Sequence, residues 1–313
     1  MTLTPDVDVE LRGLGLRYDD TEAGHPDALA GIELRVPAGT ILGLLGRNGS
    51  GKTSLMSLVA SLRRPTAGEV LVGGADPWED ADRMSAVALI GPGGDGGEWK
   101  VHDALEFSAA LRPAWDDAYA RRLLDRFEVP NVKIANLARG KRAALACTMG
   151  LAARAPVTMF DEAHLGMDAP SRYAFYDEVL SDYLAHPRTV ILSTHHIDEV
   201  ASLFGRVAIL DRGRLLVDAD TDALRARGTE VVGAAGAVER FVAAAGVELL
   251  HERRLGGTLA AVAYGELTDD ERRTAAAVGL ELGPLPLQDL FVHLTGERAD
   301  AAATTGDRAE EAS

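Results

Sequence analysis

Gly46-Arg47-Asn48-Gly49-Ser50-Gly51-Lys52-Thr53 fits the pattern G-x-x-x-x-G-K-[ST] at every position. Such a loop binds phosphate. Its glycines let successive backbone N–H groups converge on phosphate oxygens, and the helix that follows adds the positive end of its dipole. In this pattern Lys52 reaches the β- and γ-phosphates, and the Thr53 hydroxyl, with Ser54 beside it, sits at the Mg²⁺ position. Lysine occurs only at positions 52, 100, 133 and 141. A glycine-rich turn that holds a lysine by accident therefore accounts poorly for the match.

A second element of the same chemistry is Val157-Thr158-Met159-Phe160-Asp161-Glu162, an apolar strand that ends in two carboxylates. In a P-loop protein the first carboxylate holds Mg²⁺ through water and the second polarises an attacking water. Asp161-Glu162-Ala163-His164 also spells the motif of a helicase class. A helicase of that type needs a second P-loop-like domain and an arginine-rich motif, and the residues after His164 show neither. The net charge of −16 also opposes it, because nucleic-acid binding is driven by clustered positive charge.

The phosphate loop must hang between a strand and a helix, and the flanking pattern supplies both. Ile32–Gly46 holds two apolar runs around a Pro-Ala-Gly turn, and Lys52–Leu62 has apolar residues at helical spacing, closed by Arg63, Arg64 and Pro65. Val7–Tyr18, Gly68–Asp76 and Met84–Ile90 read as further strands, with a polar loop at Asp19–Gly31. Gly91–Gly97 carries five glycines. Val101–Leu111 and Asp116–Phe127 read as amphipathic helices that stand apart as a helical region. A small-residue helix from Lys141 leads to the strand Val157–Phe160, then helix Ser171–Leu184, strand Thr189–Ser193, helix Ile197–Leu203 and a hairpin around Asp211–Gly213. Strands alternating with helices predict an α/β domain with a mostly parallel sheet over residues 1–225.

From about Arg225 the rhythm changes to strand, helix, strand, strand, helix, strand, with a final helix Leu287–Leu294. That βαββαβ order predicts a small α+β, ferredoxin-like module over residues 226–296. Residues 297–313 are Ala/Thr/Glu-rich without periodicity and read as a disordered tail.

Composition narrows the class. Hydrophobic residues make up 47% and charged residues 26%, as in a soluble globular protein. The one cysteine, Cys147, excludes a disulfide framework and a cysteine-rich metal site, and its small-residue helix marks it as a packed core thiol. The N-terminus has neither the basic nor the apolar part of a signal peptide, and no apolar run reaches the ~18 residues of a membrane span. The expected location is the cytoplasm, peripheral to the inner face of the cell membrane, with no nucleic-acid partner.

Taken in order, Gly46–Thr53, Asp161–Glu162, Gly166-Met167-Asp168 and Ser193-Thr194-His195 resemble an ATP-binding cassette of the ABC transporter ATPases, export type. The hairpin Val207–Asp218 resembles the one that closes such domains, and the resemblance covers about residues 7–225. Leu287–Gly296 is similar to the final helix of many export-type cassettes. In that family two cassettes face head to tail, and each ATP lies between one P-loop and the other subunit's signature loop. The resemblance implies ATP and Mg²⁺ as ligands, Tyr18 stacking on adenine, Glu162 as general base, and His195 as the switch histidine on the γ-phosphate. It also implies Lys52 in the catalytic set, Thr53 and Asp161 at the metal, and Asp168 crossing the dimer interface. His164 and His196 match nothing in the family pattern and are read as surface or packing residues.

Two departures stand out. The signature usually reads Leu-Ser-Gly-Gly-Gln, and here it is Leu137-Ala138-Arg139-Gly140-Lys141. The serine hydroxyl that bonds the γ-phosphate is gone, forfeiting about 1.5–3 kcal/mol, and Arg139 and Lys141 would restore charge attraction but not the same geometry. Where the family carries a glutamine that senses Mg²⁺ and faces the membrane subunit, the register places Pro92, which offers no side-chain ligand. Asp95 or Glu98 is the alternative, and the sequence does not show which, if either, substitutes. The expected function is the ATP-hydrolysing subunit of a membrane exporter. It would pair with a multi-span permease subunit and a second cassette chain, a heterodimer being favoured over a homodimer because both homodimer sites would lack the serine. A soluble regulatory ATPase and a weakly hydrolysing ATP-binding module are the alternatives.

Overall fold

The computed structural model describes residues 7–18, 27–92 and 98–296. Asp95 and the tail 297–313 lie outside the described residues. The chain divides into two compact units between Asp218 and Ala219.

In the first unit, an antiparallel sheet of β1 (Val9–Leu16), β2 (Leu29–Val36) and β4 (Ala67–Val72) has the order β2-β1-β4. A six-stranded sheet holds β3 (Ile41–Gly46), β5 (Val87–Ile90), β6 (Val157–Asp161), β7 (Thr189–Ser193), β8 (Arg206–Asp211) and β9 (Arg214–Asp220), in the order β5-β6-β7-β3-β8-β9. The pairs β5–β6, β6–β7, β7–β3 and β3–β8 are parallel. Every residue of β3, β6 and β7 is buried, as their near-continuous apolar runs require of strands covered on both faces. In β2 the burial alternates, with Ile32, Leu34 and Val36 inward and Gly31, Glu33 and Arg35 outward. Helix α1 (Lys52–Val59) runs from the end of β3 and buries Leu55, Met56, Leu58 and Val59, each side chain worth about 1.5–3 kcal/mol. That burial holds the phosphate loop from its helical side.

The helical region holds α3 (Val101–Leu111), α4 (Asp117–Arg126) and α5 (Arg139–Ala153), which follows α2 (Ala81–Ala86) in the chain. Small residues let α5 lie close to the sheet: a Cβ on Gly150 would come within 2.6 Å of Ile90 and 2.8 Å of Phe160. Cys147 is fully buried in α5, and burial pushes its thiol pKa up, as a packed core thiol requires. Helix α6 (Ala169–Ala185) and the short α7 (Ile197–Val200) complete the unit.

The predicted strand Met84–Ile90 is instead the end of α2 followed by β5. Asp80 caps α2 by accepting the Arg83 N–H at 3.0 Å, and a short apolar run does not by itself separate helix from strand.

The second unit contains β10 (Gly228–Ala234), α9 (Ala235–Ala245), β11 (Glu248–Leu255), β12 (Thr258–Tyr264), α10 (Asp269–Ala277) and β13 (Glu281–Pro284), with a helix over residues 287–296. Its sheet is antiparallel in the order β11-β12-β10-β13, the ferredoxin-like arrangement of a βαββαβ chain. Val231, Val238, Phe241, Leu259, Ala261 and Leu280 belong to its core. The division falls seven residues before the sequence reading at 225/226, because α8 (Thr221–Arg227), capped by the Asp220 carboxylate, packs on β10.

Candidate active site

β3 delivers the chain into the phosphate loop, and three glycines there have no side-chain alternative. Gly49 and Gly51 take φ of 79° and 107°, in the left-handed region that favours glycine. A Cβ on Gly46 would lie 2.3 Å from Ser50 Oγ and 2.6 Å from the Leu210 carbonyl oxygen. The Lys52 ammonium, 5% exposed, donates to the carbonyls of Gly46 at 2.7 Å and Arg47 at 3.2 Å. Tyr18, Asn48, Gly49, Ser50, Gly51, Lys52, Thr53, Ser54 and Glu162 line one cavity of about 360 Å³, the size of a small-ligand site. Ser50 Oγ is buried there with no hydrogen-bond partner. An orphaned hydroxyl beside Gly46 and Gly51, where a Cβ would clash, fits a loop built to take a phosphate.

The two carboxylates diverge by backbone conformation. Asp161 is buried and accepts the Ser193 hydroxyl at 2.6 Å. Glu162 adopts φ of 48°, a conformation costing a non-glycine residue about 1–2 kcal/mol. Its N–H is held by the Ser193 hydroxyl at 3.1 Å and the Ser193 carbonyl at 3.3 Å. The Glu162 carboxylate lies 3.6 Å from Lys52 Nζ through Oε1 and 3.6 Å from His195 Nδ1 through Oε2. Residues far apart in sequence thus meet at one mouth of the cavity. Tyr18 bonds to Ser54 through its hydroxyl at 2.8 Å, and the Arg63 guanidinium lies 5.0 Å over its ring.

For Ser193 and Gly213 the sequence marked a strand-end motif and a hairpin tip but not their long-range contacts. Ser193 orients both carboxylate residues. Gly213, at the tip of the β8–β9 hairpin, takes φ of 74°, donates its N–H to the Ser50 carbonyl at 3.0 Å and accepts from Ala30 N–H at 2.8 Å. A Cβ there would lie 2.7 Å from the Ala28 carbonyl oxygen. The signal was a glycine after Asp-Arg at a hairpin tip, but its long-range partner left no trace in the local pattern.

The altered signature segment spans the start of α5. Ala138 is the N-cap and makes no side-chain cap bond. Gly140 approaches Gly166 so closely that a Cβ would meet its carbonyl oxygen at 2.7 Å. Lys141 of this segment is engaged within its own chain. Its ammonium donates to the Phe127 carbonyl at 2.6 Å and lies 3.4 Å from Glu128, tied to the C-terminal end of α4, whose carbonyls attract a cation. Arg139 is exposed, with its stem lying over Gly166. Asp168 caps α6 by accepting Ser171 N–H at 2.9 Å, and its bonds to Ser171 hold its carboxyl below the usual range. Leu137 is buried. Pro92 is exposed at a bend after β5, and Glu98 pairs with Lys133.

His164 is 3% exposed. Burial, with His196, His195 and Arg172 nearby, lowers its pKa to about 4, Glu199 acting the other way. Between the ordinary histidine value near 6.5 and that value, the unfolded chain takes up a proton that the folded chain refuses. Unfolding free energy is therefore expected to fall as pH drops from about 6.5 toward 4, by up to about 3 kcal/mol from this group. Denaturant titrations at both ends of that window check it, and His164→Gln should flatten the slope. An equal slope in the variant would assign the loss to other groups.

A family model described as ABC transporter matches residues 29–164. The daunorubicin resistance ATP-binding protein DrrA3 of Streptomyces coeruleorubidus is 28% identical over 316 residues, covering 93% of this chain and 97% of that protein. The aliphatic sulfonates import ATP-binding protein SsuB of Escherichia coli (strain K12) is 32% identical over 203 residues, covering 63% of this chain and 76% of that protein. Among solved structures, a dimeric ATP-binding cassette in a post-hydrolysis state bound to ADP and Pi has the same fold, with a TM-score of 0.59 at 17% identity over 68% of this chain and 98% of that one. With an unbroken phosphate loop, a strand-end Asp-Glu pair and a relative matched at this level over three quarters of its length, the chain belongs to the ABC transporter family, among its ATP-hydrolysing, ATP-binding chains.

Proposed function

We infer that this ATPase powers an exporter, with Glu162 as the general base for water attack on the γ-phosphate. The observation that carries the base assignment is the placement of one carboxylate 3.6 Å from both Lys52 and His195 at the phosphate-loop cavity. Lys52 is the cation that meets the phosphates, at the cost of its bonds to the Gly46 and Arg47 carbonyls. His195 contacts the γ-phosphate from the other side of Glu162. Tyr18 stacks on the adenine, a contact worth about 1–3 kcal/mol. Thr53, exposed at the start of α1, and Asp161, oriented by Ser193, are the residues that would hold Mg²⁺. The ion would neutralise charge on the phosphates.

Export is supported by the resistance protein, whose match runs through both units, whereas the import protein matches 203 residues. No helix among the described residues is long and apolar enough to cross a membrane, so the transport path would belong to a separate multi-span chain. The α3 region offers a face for it. Trp99, Phe107 and Leu111 are 47%, 53% and 57% exposed, with Trp99 edge-on to Phe107 at 5.1 Å. Aromatic anchors of this kind carry most of the energy of an interface. Phe107→Asp is expected to leave ATP turnover of the isolated chain unchanged and to cut its recovery with membranes holding the multi-span chain by about tenfold or more. Equal recovery of variant and parent would remove this face. Absence of the unmutated chain from such membranes would sink the transporter reading itself.

A further inference from the structure

We propose that His164 is a positioning residue for ATP hydrolysis, cross-linking the loop that carries Glu162 to the loop that carries His195. The inference rests on the roles assigned above to those two residues. His164 follows β6 and Thr194 follows β7, and His164 Nε2 stands 3.5 Å from Thr194 Oγ1 inside the protein, both residues being buried. Thr194 Oγ1 in turn accepts the His196 N–H at 2.9 Å. The chain of contacts therefore runs from the Glu162 loop through one imidazole and one hydroxyl into the backbone next to His195.

Ring packing reinforces the same link. The His196 ring stands edge-on to His164 at 5.7 Å and lies 4.2 Å from His195, while Tyr176 of α6 backs His164 at 5.8 Å. The far end of the histidine segment is clamped too. Glu199 of α7 receives two bonds from Arg172 of α6, at 3.0 and 2.7 Å, and Arg172 also donates to the Met167 carbonyl at 3.2 Å. Ser193, on the near side, already fixes Glu162 N–H. His195 sits between these two anchorages and has a side chain that is 42% exposed. Its distance to Glu162 therefore depends on how firmly its neighbours hold the turn. An unprotonated His164 can accept the Thr194 hydroxyl proton, and burial keeps it in that state at neutral pH.

The test uses the full-length chain and separates acceptor from bulk. Phenylalanine fills the space but offers no acceptor, whereas glutamine offers one near the position of Nε2. His164→Phe is expected to lower kcat for phosphate release by about threefold to tenfold, the range of one hydrogen bond, with ATP Kd and KM unchanged. His164→Gln is expected to stay within about twofold of the parent. In a His195→Ala background, His164→Phe is expected to cost nothing further, since the group it positions is gone. Equal losses in the Phe and Gln variants, a matching loss of ATP affinity, or the same penalty with and without His195 would each overturn the inference. Full activity of His195→Ala alone would overturn the assignment beneath it, and the inference with it.

Discussion

Glu162→Gln is expected to bind ATP with unchanged affinity and to release phosphate more slowly by about 10²-fold or more, the contribution of a positioned general base. The substitution keeps the shape of the side chain and removes its charge. The Lys52 ammonium 3.6 Å away loses a counter-ion but keeps its carbonyl partners at Gly46 and Arg47, so the loop should hold its form. The left-handed backbone of residue 162 is set by Ser193 through main-chain bonds that glutamine retains. Lys52→Ala should act differently. It removes the cation that meets the phosphates, so the loss appears first in ATP affinity. Equilibrium nucleotide binding alongside steady-state phosphate release distinguishes the two patterns. A Glu162→Gln chain that hydrolyses at the parent rate would show that another group activates the water.

The phosphate loop was legible because its requirements are local. Glycines at fixed spacing, a lysine and a hydroxyl all lie within eight residues, and the strand before and helix after obey simple periodicities. The Asp161–Glu162 pair was legible only in its company. What remained hidden depends on distant chain segments meeting. Nothing near Ser193 announces that its hydroxyl serves Asp161 while its backbone and hydroxyl hold Glu162. Nothing near Gly213 announces that a hairpin tip buttresses Ser50 and Ala30. The same limit explains Lys141, which reads as a free charge in the signature segment until α4 brings the Phe127 carbonyl within 2.6 Å. It also explains His164, which matched no family role, yet lies under the two loops that carry Glu162 and His195. The ferredoxin-like order of the second unit was legible because its alternating elements are short and separated by glycine or polar turns. The two units divide at 218/219 rather than 225/226 because α8, capped by Asp220, packs on β10, a tertiary contact that its local pattern does not announce.

Ala138→Ser is expected to raise ATP turnover of the chain purified alone by about tenfold to a hundredfold, the value of a hydrogen bond from a hydroxyl to a charged phosphate oxygen. Under head-to-tail pairing, a homodimer places Ala138 opposite the γ-phosphate in both sites, so both lack that bond. In this chain the Lys141 ammonium is turned toward Phe127 and Glu128. Arg139 is left as the exposed cation of the segment, and its fork cannot copy a hydroxyl at the N-cap. A serine at position 138 also caps α5, worth about 1 kcal/mol of helix stability, so thermal unfolding of the variant serves as the control for a purely structural gain. We propose a second, different cassette chain as the partner. That chain's signature would face this chain's phosphate loop, Glu162 and His195, while Ala138 faces the partner's weaker site. In such a heterodimer Ala138→Ser should change turnover far less than in the lone chain. Should the unmodified chain alone dimerise with ATP and turn over near 1 s⁻¹, a common enzyme rate, with Ala138→Ser adding nothing, Arg139 would suffice and a homodimer would be the working form.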